Sequence, residues 1–410
     1  MGQAAVPAYL GRDFSQAAPG HRFNLYLPLW AAGSWAREAD KAANRNGSPA
    51  TGKTPTLQTV VRLAPYFKEM NRSLAQRQAA LAEPLVAQGR LLTLHAEAVA
   101  PFTTGLGNEH PLENGFAFLN PYGLPYLAGS GVKGVLRQAA RELAAGDWGD
   151  TQGWSAAAID ALFGKVGKPE AGSDEKADFQ RGALMFWDVL PLVAGDALQV
   201  EVMTPHQSHY HQKGESPHES GMPNPINFLT VPPGSKFSFH IQCDLPFLRG
   251  LALRGQAPAL ADEDRWQTLL TAALAHAFQW LGFGAKTAVG YGAMKTDTAR
   301  QAQAQAARIA AHREAERLQM SAGQRAIADF VDEMGRRVEQ LRGGKEKLQA
   351  ASHQRAQQFA KLALESADWT APERAEAADA IEHWLPKVVQ LSDRKDAFKK
   401  LKLSALRGLS

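Results

Sequence analysis

The sequence predicts an α+β fold, a ferredoxin-like domain followed by an α-helical extension. Three observations predict it: short apolar segments that alternate like strands, two amphipathic helices between them, and a change to Ala, Gln, Glu, Lys and Arg from about residue 301. The central elements come in the order strand, helix, strands, helix, strand, as in a ferredoxin-like unit. We therefore divide the 410 residues into an N-terminal extension (1–90), a ferredoxin-like domain (91–298) and a helical extension (299–410).

The ferredoxin-like domain begins with LLTLHAEAVA from Leu91, where apolar and polar residues alternate as in a half-buried strand. A Gly/Pro-rich loop leads to an amphipathic helix at 131–145, for which Ser130 is the expected N-cap. The next predicted strand is ALMFWDVLP, and three more follow it: ALQVEVM, INFLTV and KFSFHI.

A polar excursion rich in Pro, Gly and His lies at 203–226, and we expect a long hairpin or projecting thumb there. A second helix is predicted at 262–281, where Leu270, Leu274 and Phe278 mark the buried stripe. The short strand YGAMKT closes the domain.

The two extensions differ in pattern. The first 90 residues mix short apolar pieces with a polar linker, so we expect them to be partly irregular. Helices are predicted in the second extension at 301–319, 321–342, 345–366, 372–391 and 393–406.

Composition excludes several classes of protein. The net charge is only +4, and 19 of the 45 Lys and Arg lie after residue 300 with 15 of the 41 Asp and Glu, so the remaining chain is balanced. Any binding of nucleic acid must then come from locally arranged groups. The single cysteine, Cys243, cannot form an internal disulfide, and no segment has the pattern of a signal peptide or membrane span. We expect a cytoplasmic protein without a cofactor.

The most unusual segment is GFGAKTAVGYG at 282–292. It places four of the chain's 36 glycines around three polar residues, in the order Gly282, Gly284, Lys286, Thr287, Gly290, Tyr291 and Gly292. Glycines permit positive φ and the close approach of a large partner, while lysine and tyrosine offer a charge and a stacking face. The segment indicates either contact with a nucleic-acid backbone or a glycine-rich turn before a strand.

The first helix of the domain carries a basic stripe of Lys133, Arg137 and Arg141, four residues apart. A lysine in the first turn opposes the helix dipole, unless an anion shares the helix N-terminus. The stripe therefore favours an anion site or, alternatively, a solvated basic face.

Four motifs occur in order along the chain: TGLGNEHPLENGF (104–116), GLPYLAGSGVKGVLR (123–137), LFG (162–164) followed by RGALMFWDVLP (181–191), and GFGAKTAVGYG (282–292). Together they resemble the RAMP-superfamily CRISPR proteins, nearest to those of type III-B (Cmr) RNA-guided effector complexes. The resemblance covers about residues 90 to 298.

The resemblance implies a modified RNA-recognition-type fold in a non-catalytic RNA-binding and assembly subunit of an antiviral ribonucleoprotein. It implies a position near one end of a filament of RAMP subunits, in contact with the 3′ part of the guide RNA, with the 203–226 excursion as a thumb. The expected partners are the guide RNA, the target RNA through the guide, and other RAMP subunits. Combined with the basic stripe, it predicts RNA-binding residues at Gly129, Ser130, Lys133, Arg137, Arg141, Gly282, Gly284, Lys286, Thr287, Gly290, Tyr291 and Gly292.

Two other motifs point to different chemistry. GSPATGKT at 47–54 satisfies the phosphate-binding pattern G-x-x-x-x-G-K-[ST], but it follows a polar segment predicted to lack a core, so we expect no ATPase. Four histidines of the excursion have spacings that suit a metal, but neither cysteine nor carboxylate ligands accompany them, so no metal is predicted at His206, His209, His211 and His218.

The alternative function is a metal-independent endoribonuclease that processes CRISPR transcripts, with His110 as its acid or base. The competing interpretation is a structural His110 held in a turn between Gly107 and Pro111, because no nucleophile or second base is evident nearby. Asp188, at the end of the second strand, is expected to cap or pair structurally.

Overall fold

The computed structural model describes residues 2–41, 50–166, 179–205, 225–260 and 264–408, with 207, 210, 214, 216 and 262 as further single residues. The chain divides into two compact units, Met1–Gln301 and Ala302–Ser410. Within the described residues, the first unit mixes helices with strands and the second is built of helices and turns.

The first unit contains short strands and helices of very different length. Its strands are β1 (Leu91–Ala98), β2 (Phe118–Leu119), β3 (Leu124–Pro125), β4 (Gly164–Val166), β5 (Phe179–Arg181), β6 (Leu184–Phe186), β7 (Gln199–Met203), β8 (Ile226–Thr230), β9 (Lys236–Cys243) and β10 (Met294–Thr296). Its helices are α1 (Pro19–Asn24), α2 (Lys53–Gln58), α3 (Pro65–Ala87), α4 (Gly129–Ala145), α5 (Ala156–Phe163), α6 (Leu245–Leu253) and α7 (Arg265–His276), which continues into a π-helical turn at Ala277–Leu281.

The main sheet has four antiparallel strands in the order β10-β1-β9-β6. Its register pairs Leu94 with Phe239, Ala98 with Met294 and Leu184 with Cys243. Because β1 and β6 both run antiparallel to β9, their carboxyl ends lie at the same end of the sheet. The amino end of β10 lies there too, since β10 is antiparallel to β1. We call this end the loop end of the sheet.

The central strand β1 is covered on both faces. Its apolar residues are buried, but Thr93 and His95 are buried as well, at 5% and 8% exposure. Cross-strand hydrogen bonds satisfy them, between Thr93 Oγ1 and His240 Nδ1 and between His95 Nδ1 and Ser238 Oγ, both at 3.0 Å. The half-buried strand expected from the alternation is wrong at these positions, because polar pairs replace solvent.

Helix α4 buries the stripe that its periodicity predicts, with Val132, Leu136 and Leu143 inside the main core. The predicted cap is wrong. The helix begins at Gly129 with Ala128 as N-cap, and no side chain at that position caps it. Ser130 is exposed within the first turn, because the chain enters the helix two residues earlier than expected.

The N-terminal extension contributes to the main core, although the polar segment within it was expected to lack a core. Phe23, Leu27, Leu29 and Leu57 are at most 5% exposed and pack in the same cluster as the sheet. The long helix α3 then leads directly into β1. Short apolar pieces separated by polar residues hide this contribution in the sequence, because no single piece is periodic over many residues.

The second unit has its own core. Its helices are α8 (Thr298–Gln319), which begins in the first unit, α9 (Ala322–Leu341), α10 (Ala351–Glu365), α11 (Ala371–Val388), α12 (Arg394–Lys400) and α13 (Leu403–Leu406). Phe330 stacks on Phe359 with ring centroids 4.4 Å apart. Capping boxes start α9 at Ser321 and α11 at Thr370. In the described part of the chain, no helix is both long and apolar enough to cross a membrane.

Candidate nucleic-acid interface

The first turn of α4 is fixed by the end of strand β6. The Gly129 N–H donates to Asp188 Oδ1 at 2.7 Å. This carboxylate therefore accepts from the first of the backbone N–H groups that have no partner within the helix. A Cβ on Gly129 would run into the carbonyl of Phe186. Gly129 is therefore required by close packing inside the protein, and Asp188 has the capping role that the sequence indicated.

Lys133 and Arg137 lie together in a concave surface of about 460 Å³, which Lys165 and Arg181 also line. Arg137 donates one guanidinium N–H to the Gly164 carbonyl at 2.9 Å. Lys133 has no ion-pair or hydrogen-bond partner within the part of the chain that the structure describes, so its charge is available to a ligand.

The remaining basic side chains near α4 are less available. Arg181 pairs with Asp244 at 2.7 Å and stacks over the Phe247 ring. Arg141 is exposed but sits two turns beyond Lys133, roughly 12 Å along the helix. The first turns of the helix thus contribute the charge, and Arg141 is peripheral to the concave surface.

The glycine loop (282–292) is anchored by a residue that the sequence analysis did not single out. Phe283 is fully buried, with ring centroids 4.9 Å from Phe239 and 5.7 Å from Phe278. The signal for it was present, since a large apolar residue between two glycines in a polar segment is typical of a loop pinned to a core.

The four glycines of the loop all have positive φ, between 69° and 96°. A Cβ on Gly284 would collide with the Thr103 carbonyl, and one on Gly292 with the carbonyl of Phe283. A Cβ on Gly282 would lie 3.1 Å from the Tyr291 carbonyl oxygen, whereas one on Gly290 would have nothing within 4 Å. Three of the four glycines are therefore needed because the loop packs closely against the rest of the protein. Of the four, Gly290 alone faces open space.

Lys286 lies over the base of the 203–226 excursion, at the β7–β8 hairpin. Its Nζ is 3.5 Å from Met203 Sδ and 5.3 Å from the centroid of the Phe228 ring, a cation–π distance. Its backbone is left-handed, with φ of 58°. Within the described residues no carboxylate pairs with it, so this second lysine also keeps an unneutralised charge. Thr287, half-buried, begins the 3₁₀ turn Thr287–Val289.

Tyr291 packs against the same hairpin. Its ring meets the Phe228 ring edge-on at 5.4 Å, and its hydroxyl donates to Glu201 Oε2 at 3.3 Å. Burial, then the charge of Glu201, raise the pKa of Tyr291 above its ordinary value. The geometry makes Tyr291 a packing residue, one of the two interpretations that the sequence allowed.

The helix start and the glycine loop occupy the same end of the sheet. Asp188 ties the helix start to the strand edge at β6, and the glycine loop lies against Phe102 and Thr103, just beyond β1. Across the sheet β6 and β10 are three strand spacings apart, about 14 Å. Lys133 points into a concave surface beside β4 and β5, and no glycine-loop residue lines that surface. Lys286 instead points toward β7 and β8.

His110 is held by three contacts. Its Nδ1 accepts from the Leu112 N–H at 3.2 Å, which leaves Nε2 to donate to the Phe23 carbonyl at 3.0 Å. Its ring stacks on Phe23 with centroids 3.7 Å apart. Burial lowers the pKa of His110, although the hydrogen bond to Phe23 opposes this. Both nitrogens are committed, which favours the structural interpretation over an acid or base.

In the described part of the phosphate-loop pattern, residues 50–54, the backbone N–H and the side chain of Lys53 already have carboxylate partners. The Lys53 N–H, at the start of α2, donates to Asp40 Oδ1 at 2.7 Å, and the Lys53 side chain pairs with Glu113. The reason for rejecting the motif changes accordingly. Helix α2 does join the core, through Leu57, but a backbone N–H that a phosphate would need donates to Asp40 instead.

The histidines of the excursion, His206, His209, His211 and His218, lie outside the described residues. Among the residues that are described, no three His, Cys, Asp or Glu side chains gather as a metal site would require.

Comparison with known proteins identifies the central region. Residues 95–295 match the family model of the RAMP superfamily. This region is a RAMP-superfamily domain. The RAMP domain contains β1, α4, β6, β9 and β10, and the match confirms the resemblance carried by the four motifs.

One curated relative is the CRISPR system Cmr subunit Cmr6 of Pyrococcus furiosus. It is 28% identical over an alignment of 231 positions that covers 46% of this chain and 63% of the relative. The chain therefore spans less than two thirds of that relative's length.

Solved structures give similar matches. A chain of the type III-B Cmr-β complex bound to cognate target RNA is 16% identical, with a TM-score of 0.39, over 60% of this chain and 75% of its own length. The crystal structure of Cmr6 from Pyrococcus furiosus is 24% identical, with a TM-score of 0.27, over 50% of this chain and 97% of its own length.

Proposed function

We propose that this protein is a non-catalytic RNA-binding and assembly subunit of a type III-B CRISPR effector complex, acting in antiviral defence in the cytoplasm. The RAMP domain and the similarity to Cmr6 support the assignment. The strand order β10-β1-β9-β6 supports a ferredoxin-like fold, since the four strands, numbered along the chain, are arranged 4-1-3-2. The β7–β8 hairpin would form the base of a thumb.

The observation that carries the RNA-binding role is the pair of unneutralised lysines at the loop end of the sheet. Lys133 and Lys286 each keep a charge with no carboxylate partner within the described chain. A phosphate backbone crossing this end of the sheet would pass the helix start and then the glycine loop, since the edge strands nearest to them, β6 and β10, are about 14 Å apart. Arg137 uses one of its five N–H donors on Gly164, and its Nε is buried, so three donors remain beside Lys133.

This arrangement would recognise the charge and the shape of an RNA backbone. Neither lysine presents a bidentate fork, and Tyr291 is held edge-on by Phe228, so few groups are placed to recognise base edges. The proposed ligand is therefore the backbone of the guide RNA, at its 3′ part, with target RNA reached through the guide and other RAMP subunits as neighbours.

The test is the salt dependence of guide binding by the purified chain. Replacing Lys133, Arg137 and Lys286 with Ala together should reduce the log–log slope by about 2, at roughly 0.7 per phosphate contact with a single strand. The slope is measured by fluorescence anisotropy between low and moderate salt.

The matched control removes three exposed cations elsewhere, Arg77, Arg254 and Lys345, none of which has an ion pair within the described residues. The control should leave the slope unchanged because none of these residues belongs to the helix start or to the glycine loop. Equal slopes in the two triple variants would reject the proposed contact set.

The absence of catalysis is part of the proposal, and the commitment of both His110 nitrogens supports it. Incubation of the chain with repeat-containing RNA in EDTA should leave the RNA intact. Specific cleavage that disappears in His110→Gln, with folding preserved by circular dichroism, would establish the endoribonuclease instead.

A further inference from the structure

A second surface with the character of a ligand site lies in the N-terminal extension, before the RAMP domain begins. A cavity of about 760 Å³ opens there, within the size range of small-molecule sites. The side chains that give it chemical character are Arg12, Phe14, Arg22, Tyr26 and Trp35.

Arg22 is the central group. It is only 6% exposed, and its guanidinium donates from Nη1 to the Thr59 carbonyl at 2.9 Å and from Nη2 to the Arg62 carbonyl. Its Nε is buried with no hydrogen-bond partner. A guanidinium has five N–H donors, so up to three remain unused.

The charge of Arg22 is not neutralised by the protein. Within the described residues no carboxylate lies at ion-pair distance from it, and the positive charge of Arg62 repels it. Burial and that repulsion lower the pKa of Arg22. A buried cation without a counter-ion is costly, and an anion entering the cavity would remove the cost. Arg12, on the cavity wall, adds a second positive charge.

The aromatic walls point to the rest of the ligand. Phe14 and Tyr26 stack with ring centroids 4.3 Å apart and an interplanar angle of 6°. Trp35 is 53% exposed and stands in a left-handed backbone conformation, with φ of 54°. Rings beside an unpaired guanidinium suit a molecule that has both a flat π system and a negative charge.

We propose that this cavity binds a nucleotide, with its phosphate on Arg22 and Arg12 and its base against Trp35. The nucleotide is either free or part of a single-stranded RNA, since both present the same phosphate and base. The site is separate from the RNA contacts proposed for the RAMP domain and does not depend on them.

The experiment titrates the full chain with AMP, with inorganic phosphate and with a labelled five-nucleotide single-stranded RNA. AMP or the RNA should bind at least about tenfold more tightly than phosphate alone, because stacking adds to the charge. Tighter binding of AMP than of the RNA would identify a free nucleotide as the ligand, and the reverse order would identify an RNA strand.

The variants Arg12→Ala and Trp35→Ala should each weaken that binding by about tenfold, whereas Arg254→Ala and Trp148→Ala, matched changes at other exposed positions, should not. Arg22→Lys keeps the positive charge but loses the planar guanidinium and its paired N–H donors. It should weaken binding more than Arg12→Ala or Trp35→Ala does. Arg12→Ala and Trp35→Ala change exposed side chains and are expected to fold. The test therefore holds even if Arg22→Lys fails to fold.

Binding of neither AMP nor the RNA by the wild-type chain, or binding unaffected by Arg12→Ala and Trp35→Ala, would overturn the proposal. The Lys133, Arg137 and Lys286 triple variant should retain AMP binding. The experiment therefore distinguishes a wrong assignment of the RNA contacts in the RAMP domain from a wrong assignment of this nucleotide site.

Discussion

The helix start (129–137) and the glycine loop (282–292) lie at the same end of one sheet, yet they are held in different ways. A carboxylate from the neighbouring strand, Asp188, fixes the helix start and leaves Lys133 unpaired in the described chain. The glycine loop is held from within by Phe283, and its polar side chains contact the β7–β8 hairpin. Three of the four glycines are needed for close packing within the protein, and the unpaired charge of the two regions comes from Lys133 and Lys286.

The largest effect expected from this difference is the loss of the loop anchor. Phe283→Ala should lower the free energy of unfolding by about 3–5 kcal/mol, because it empties a fully buried ring position. Denaturant unfolding followed by circular dichroism measures it. Val289→Ala, in the same loop at 63% exposure, should change stability by about 0.5 kcal/mol or less. Similar losses from both variants would contradict the anchoring role.

The glycines themselves should separate into two classes. Gly292→Ala combines positive φ with a collision at the Phe283 carbonyl and should cost about 2–3 kcal/mol of unfolding free energy. Gly290→Ala has positive φ but open space, and should cost only about 1 kcal/mol. If Gly290→Ala also weakens RNA binding while Gly292→Ala does so only through unfolding, the open position is the one near the ligand.

A single lysine variant measures how much the helix start contributes to the salt dependence of guide binding. Lys133→Ala should reduce the salt slope of guide binding by about 0.7, with little change in stability because the side chain has no partner in the described residues. Arg141→Ala, two turns along the same helix, is the matched control and should change the slope less. A larger effect from Arg141 would move the RNA away from the helix start.

The smallest expected effect concerns His110, which belongs to neither region. Its pKa is lowered in the folded protein by burial, whereas in the unfolded chain it is about 6.5. The stability it contributes is therefore present above pH 6.5 and is lost as the pH falls below that value, since only the unfolded state then takes up the proton. His110→Gln should flatten the fall in unfolding free energy between pH 7 and pH 5. An identical pH dependence in both proteins would show that burial does not hold His110 neutral.

Local patterns were sufficient to predict β1, α4, the strands β6 to β9, α7 and β10, but they missed the helices α5 and α6. Long periodic segments such as α4 and α9 are predictable because their buried faces repeat in the sequence. Glycine-rich motifs were sufficient to predict the family.

The partners of individual side chains were not predictable, because they are set by contacts between distant parts of the chain. Asp188 reaches Gly129 across 59 positions, and Lys286 reaches Met203 across 83. The cap was therefore assigned to the nearest serine, Ser130, and the core contribution of the N-terminal extension was missed. Arg22 was not predicted as a site residue for the same reason, because the carbonyl groups that it contacts lie about 40 positions away in the sequence.

The most direct measurement is photo-crosslinking of a guide RNA that carries 4-thiouridine in its 3′ part, followed by mass spectrometry of the crosslinked peptides. The account predicts crosslinks in peptides from both the helix start and the glycine loop, and their joint loss in the Lys133, Arg137 and Lys286 triple variant. Crosslinks found only in residues 302–410, and unchanged in that variant, would contradict it.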